Sequence, residues 1–356
     1  VLGPDINESQ KHFAVNDKGE IRFGLGGIKG TGDAAVESII DIRKETGPFK
    51  DIFDFVSRIN LRTVNKKTLE SLAYAGAFDT FVEIHRATYF SQAEGRNSFI
   101  ELLIRYANNY HENKAAGQSS LFGAMGGDGF SITKPMVPQA EKWTNIEKLK
   151  YEKEVVGFYI SGHPLDQFSI EMKLCKPLSD VLNPENLDNE FAIGGMVSMV
   201  NIRQSKNGNP FAIAKIEDYN GSLEMMLFGN DYVNFANYLT VGNFLFLRGK
   251  VQNRWKNENE FEFKPIDIDL LHNIKSKRFK EIRLIIDLDN IDEEKVGDIM
   301  EVAAQNPGDF DLKLQIFDVE EQADVELRSR SVRVDLSPKV VNQFKNILGQ
   351  EFVKWA

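Results

Sequence analysis

Residues 191 to 272 constrain the fold more than any other part of the chain, because they read as strands whose turns leave few ways to connect them. FAIGGMVSMVNIRQ, FAIAKIEDY, SLEMMLFGN, NFLFLRGKVQNRW and EFEFKPIDIDLL are rich in β-branched and aromatic residues, and SKNGNP, NG and KNEN punctuate them. One helical segment, YVNFANYL, falls between the third and fourth strands. Five strands with a helix in that one place close into a small Greek-key barrel.

That order of elements is the order of an OB-fold, whose second and third strands usually offer the face that takes single strands. Two loops rim that face. The loop after the first strand holds Arg203, Lys206 and Asn207, and the loop between the fourth and fifth holds Arg254, Trp255 and Lys256. A tryptophan between two cations in a polar turn suits base stacking better than a core. Phe211 opens the second strand, where a phenylalanine is either a second stacking residue or part of the core.

Upstream, residues 20 to 82 read as short helices broken by glycine. A Gly-rich turn precedes an amphipathic helix whose Val36, Ile39, Ile40 and Arg43 recur at helical spacing, with Gly47 and Pro48 ending it. DIFDFVSRI and NKKTLESLAYAGAFD give two more helices, and residues 86 to 113 read as one longer helix. GGIKGTGD fits neither the nucleotide P-loop nor the dinucleotide fingerprint. It fits either a plain helix-capping turn or a helix-hairpin-helix turn, in which Lys29, Gly30, Thr31 and Gly32 bring backbone amides and a charge to a DNA phosphate without reading sequence. Arg58, Arg62, Lys66 and Lys67 make a second basic cluster, either a phosphate contact or a solvated helix face.

From residue 113 to 138, Gly, Ser, Ala and Pro dominate, a span that is uncommon unless functional or disordered. Within it GQSSLFG sets Leu121 beside Phe122 with no periodicity to bury them. They either fold back onto a core or await a partner.

The last segment, residues 280 to 356, mixes alternating strands with the helices DEEKVGDIMEVAAQ and SPKVVNQFKNIL and reads as a small α+β domain. It carries 10 Lys and Arg against 17 Asp and Glu, a balance that repels a phosphate backbone and favours protein contact.

Catalytic signals are weak. Asp267 with Asp269, and Asp287 with Asp289, alternate on strands as a two-metal nuclease would need, but no third carboxylate is placed by spacing. The single cysteine, Cys175, cannot form an internal disulfide, and the five histidines lack metal-ligand spacing. No run of about 18 apolar residues marks a spanning helix, so membrane contact is not expected and a cytoplasmic location is. At 356 residues and a net charge of -10, the chain has room for more than one core and no general affinity for polyanions. VLGPDINES reads as a strand end entering a loop, so a fragment of a longer protein is expected.

GLGGIKGTGDAAVESIIDIR, GPFKDIFDFVSRI, NKKTLESLAYAGAFD, GFYISGHPLDQF and GSLEMMLFGNDY together resemble the carboxy-terminal third of the alpha subunit of bacterial DNA polymerase III, over essentially the whole chain. The resemblance implies a multidomain α+β fold. Its parts are the end of a fingers region (1–27), a helix-hairpin-helix domain on duplex DNA (28–112), a sliding-clamp-binding loop (113–140), a connecting segment (141–190), the OB-fold beside single-stranded template (191–272), and a tail that meets the tau subunit of the clamp loader (280–356). It places the catalytic aspartates and their Mg2+ upstream, so no cofactor and no polymerisation are expected of this chain alone. It also makes Gln118, Ser119, Ser120, Leu121 and Phe122 a peptide for the beta sliding clamp. The alternative is a free-standing OB protein for single-stranded nucleic acid with helical appendages.

Overall fold

Each of two units, Val1–Pro164 and Leu165–Ala356, is built around its own buried residues in the computed structural model. The structure describes residues 1–92, 97–119, 133–254, 257–318 and 323–356.

In the first unit a short hairpin, β1 (Ala14–Val15) and β2 (Ile21–Arg22), precedes α1 (Asp33–Thr46). Val36, Ile39 and Ile40 are buried on α1, and Arg43 is buried with them. The guanidinium can lie on an apolar face because it donates to the carbonyls of Ile6 at 2.8 Å and Ser9 at 2.9 Å. α2 (Ile52–Arg58) and α3 (Lys66–Ala75) follow, each capped by a side chain, Asp51 on the N–H of Asp54 and Asn65 on that of Thr68.

The expected single helix over 86 to 113 is two helices, α4 (Arg86–Phe90) and α5 (Phe99–Ser119). Ser98 and Glu101 close a capping box at the start of the second, which is why the helix restarts there. α5 also runs past residue 113, where the sequence reads as linker, since Lys, Ala and Gln are good helix formers despite Gly117. Beyond residue 132 the chain is fastened to this unit. Lys134 pairs with Asp51 at 3.1 Å, His85 Nε2 lies 3.0 Å from the Ala140 carbonyl oxygen, and Trp143 joins an aromatic cluster with Tyr74, Phe90 and Tyr151. α6 (Asn145–Val156) then starts with a complete capping box, Thr144 with Glu147.

A buried ionic network ties the motifs of this unit together. Gly76 ends α3 in the left-handed region at φ 83°, and a Cβ there would lie 2.0 Å from the Arg86 guanidinium. Arg86 donates to Asp79 at 2.7 Å and to Glu152 at 3.3 Å. Glu152, 1% exposed, also accepts from the backbone N–H groups of Ile160 and Ser161 at 3.0 and 2.9 Å. The AGAFD and SGHP sequences are therefore two sides of one charge-satisfying site.

The second unit contains the expected barrel: β3 (Glu190–Gln204), β4 (Pro210–Glu217), β5 (Ser222–Leu227), α7 (Gly229–Phe235), β6 (Phe244–Arg254) and β7 (Asn257–Leu270). All pairings are antiparallel in the order β5-β4-β3-β6-β7, and side chains of the two outermost strands, such as Met225 and Phe263, share one core.

After α8 (Leu271–Arg278) come β8 (Glu281–Asp287), α9 (Glu293–Gln305), β9 (Pro307–Asp318), β10 (Ala323–Val334), α10 (Pro338–Leu348) and β11 (Val353–Trp355). Their sheet has the order β10-β9-β8-β11, with β8 and β9 parallel. Ile282, Leu284, Ile286 and Leu312 point into a core shared with Ile299, Val341 and Phe344 of the helices. The helix-hairpin-helix region, OB-fold and α+β tail expected from the sequence are all present.

Candidate nucleic-acid interface

On the helical unit, the turn before α1 is held in place by its own hydrogen bonds. Lys29 donates its backbone N–H to Val155 at 2.7 Å, and Thr31 Oγ1 lies 2.7 Å from the Ile28 carbonyl oxygen and 2.9 Å from that of Leu25. The Thr31 hydroxyl, a candidate phosphate contact by sequence, is thus committed to the turn itself. Gly30, at φ 91°, is backed by α3: a Cβ would stand 2.5 Å from Ser71 Oγ, and Lys67 Cε lies 3.5 Å from the same point. Gly32 caps α1 without a side chain, and the N–H groups of Gly32, Asp33 and Ala34 have no acceptor among the described residues. Exposed Lys29 and Lys67 stand beside these free amides with no ion-pair partner among the described residues. Free N–H groups, the positive end of a helix and two unpaired ammonium groups form an arrangement that can hold an oxyanion.

Sequence reasoning missed one member of this turn. Lys11 Nζ bridges Asp33 at 3.1 Å and Glu37 at 2.8 Å, and the bond to Glu37 raises its pKa. It neutralises two carboxylates that would otherwise repel an anion at the start of α1. Only the tertiary fold brings residue 11 to residue 33.

The second basic cluster divides. Lys66 is drawn to Glu101 at 2.8 Å and Glu70 at 3.8 Å, so among the expected phosphate contacts it is already engaged by carboxylates. Arg58 closes the loop after α1, bonding Asp54 at 2.9 Å and the Pro48 carbonyl oxygen at 3.2 Å while lying over the Phe49 ring. Arg62 stays exposed, its side chain unpartnered among the described residues.

On the barrel, β4 alternates so that Ala212, Ala214 and Ile216 are buried while Phe211, Ile213 and Lys215 face outward. Phe211 is therefore on the outer face rather than in the core. Its ring stacks on Phe228 with centroids 4.8 Å apart and planes 21° from parallel, and Phe228 is half exposed. Arg203 lies opposite Phe211 in the β3–β4 register, and exposed Lys206 sits in the adjoining turn. A stacked aromatic pair beside two cations can take a base on the rings and a phosphate on the charges. Phe228 was not picked out in the sequence, because a lone Phe after a strand and before Gly-Asn reads as a turn residue. Arg254 is paired with Glu260 at 3.0 Å across the β6–β7 hairpin. Trp255 and Lys256 lie outside the described residues, as do Ser120, Leu121 and Phe122. The backbones of Gln118 and Ser119 are the last residues of α5 rather than an extended peptide.

Asp287 accepts from the N–H of Asp289 and from Asn290, and Asp269 accepts from the N–H of Leu270 and from the Asn273 side chain. No group of three His, Cys, Asp or Glu able to hold a metal occurs among the described residues. Burial pushes the Cys175 thiol up to about 12, which removes it as a nucleophile. No helix among the described residues is long and apolar enough to cross a membrane.

Residues 1–89 match a helix-hairpin-helix motif, 191–271 an OB-fold nucleic acid binding domain, and 282–352 the C-terminal domain of the DNA polymerase III alpha subunit. The DNA polymerase III subunit alpha of Mycobacterium leprae is 30% identical over 355 residues, 98% of this chain and 29% of that protein. The same subunit of Vibrio cholerae is 33% identical over 254 residues, 70% of this chain and 21% of that protein. The chain thus spans less than a third of the length of these relatives. It has the C-terminal region of the DNA polymerase III alpha subunit family, with its helix-hairpin-helix, OB-fold and C-terminal domains.

Proposed function

We propose that this region supports processive DNA synthesis by holding duplex product, single-stranded template and two protein partners while phosphoryl transfer and its Mg2+ belong to other parts of the polymerase. The observation that carries the reading is the stack of outward-facing Phe211 on half-exposed Phe228 beside Arg203 and Lys206. Leaving the Phe228 ring half exposed on its stacked neighbour has a solvation cost that base stacking would recover.

In this reading the turn of Lys29, Gly30 and Gly32, with Lys67 and Arg62, grips the duplex backbone. It does so through amides and ammonium groups that carry no base information. The barrel face takes the template strand. Gln118 to Phe122 offers Leu121 and Phe122 to a pocket on the beta sliding clamp, and burying both would contribute roughly 3 to 6 kcal/mol before ordering costs. The acidic tail meets the tau subunit of the clamp loader.

The test is binding of the purified chain to single-stranded and duplex oligonucleotides by fluorescence anisotropy. Replacing Phe211 and Phe228 with Ala is expected to weaken single-strand binding and spare duplex binding. Equal loss on both ligands, or none, would overturn the assignment of the barrel face. For the clamp, calorimetry of L121A/F122A should show lost affinity with an almost unchanged melting temperature; a matching fall in stability would place both side chains in a core instead.

A further inference from the structure

We infer that the tail domain has a second docking surface, the free edge of β10, and that its occupant is a second copy of this chain. β10 is the outermost strand of its sheet, and every residue from Ala323 to Arg328 is exposed, including Val325 at 50% and Leu327 at 47%. Edge strands are normally guarded by Pro, by charged side chains or by a covering element; Ala323–Val334 contains no Pro, and its charges leave it open only to a strand of complementary charge order. Its outward row of N–H and C=O groups is a template for another strand.

The order of charges along the edge selects the occupant. Asp324, Glu326, Arg328 and Arg330 fall at alternate positions, acids first and bases after, with Leu327 at the midpoint. When two copies pair antiparallel about Leu327, Asp324 meets Arg330 and Glu326 meets Arg328 on both sides of the two-fold axis, while Leu327 meets Leu327. Centring on Glu326 or on Arg328 instead puts two like charges face to face, and centring on Val325 sets Asp324 against Glu326. Only the Leu327 register both keeps the apolar row on one face and sets all four charges opposite their complements.

β9 pairs regularly with β10 from Ala323 to Arg328 and then shifts to Arg333, leaving the residues between without a β9 partner. Glu326 and Arg328 already reach across to Lys313 and Asp311 of β9, so the outer pair carries the selectivity. Arg330 has no side-chain partner among the described residues, and Asp324 accepts a hydrogen bond from Gln315 at 2.9 Å. The apolar side of the edge continues onto α9, which lies against β10 and leaves Val296 and Met300 exposed. The joined sheets bury little more than one strand edge from each copy, so the pair forms weakly and reversibly.

The experiment is sedimentation velocity of the full 356-residue chain over a concentration series, with D324R, with R330D, and with an equimolar mixture of the two variants. The wild type is expected to sediment faster as concentration rises. Each variant alone, which sets like charges opposite one another, stays monomeric. The mixture regains the dimer, because position 324 of D324R then meets position 330 of R330D with opposite charge, and the two remaining native side chains meet likewise. A wild type that stays monomeric throughout would assign the edge to a strand of a different protein and overturn the inference. Dimers that ignore both substitutions, or a mixture that fails to recover, would overturn it as well.

Discussion

In the proposed function, the turn at Lys29 to Gly32 and the barrel face at Phe211 and Phe228 would meet nucleic acid by opposite means. At the turn the groups offered are main-chain amides, and the side chains around them fix the backbone: Thr31 to Leu25 and Ile28, Ser71 behind Gly30, Lys11 across Asp33 and Glu37. On the barrel the backbone is spent on strand pairing, and the groups offered are the outward-facing side chains themselves. The first arrangement depends on the integrity of its scaffold. The second depends on two rings, which can be removed without touching the core.

That contrast is most severely tested in the buried network. Arg86→Ala would leave Glu152, 1% exposed, without its cation, and breaking such a pair costs about 3 kcal/mol or more. Denaturant melts of the variant should show a large loss in the helical unit, and duplex affinity should fall with it although Arg86 is not itself a phosphate contact. Preserved single-strand binding in the same sample would confirm that the barrel face stands on a separate scaffold; loss of both would erase the contrast.

A smaller effect is expected from Phe228→Ala alone, about 1 to 3 kcal/mol in single-strand affinity with little change in melting temperature. If Phe211→Ala proves costly and Phe228→Ala neutral, a single ring rather than a stacked pair is the platform. Next comes K29E/K67E, for which the salt dependence of duplex binding should become shallower by about two log units per log unit of salt, as two phosphate contacts are lost. An unchanged slope would remove the turn from the duplex contact. Least of all should Lys66→Gln matter, within about 0.5 kcal/mol, since its ammonium is engaged by Glu101. A loss as large as that of K29E/K67E would mean that DNA outcompetes Glu101 for this lysine.

How far the sequence revealed these surfaces follows the same division. The barrel strands were legible because alternation is a local property, and their side-chain face could be counted off from Ala212 and Ala214. Phe211 stayed ambiguous, since no strand pattern says which of two alternating rows faces solvent until a partner for the ring is known. Phe228 was invisible, being made significant only by the β4–β5 pairing that brings it to Phe211. In the helical unit the glycine-rich turn was legible from its spacing. The pairing of Lys66 with α5 and of Lys11 with α1 was not, because residues 35 and 26 positions apart leave no periodic trace. The long helix was misjudged at both ends for a common reason: composition suggested continuity at Ser91 to Ser98 and a linker after residue 113, whereas the Ser98–Glu101 box and the tolerance of helices for one glycine decided otherwise.

The persistence of α5 through Ser119 changes what kind of attachment Leu121 and Phe122 can make. Phe122 is three residues beyond that point, a reach of at most about 11 Å for a fully extended chain. A clamp held by those two side chains would be moored on a short painter rather than a long rope. Its distance from the end of the helix would be set to within the length of a few peptide units, so the helix would act as a ruler for where the clamp rides.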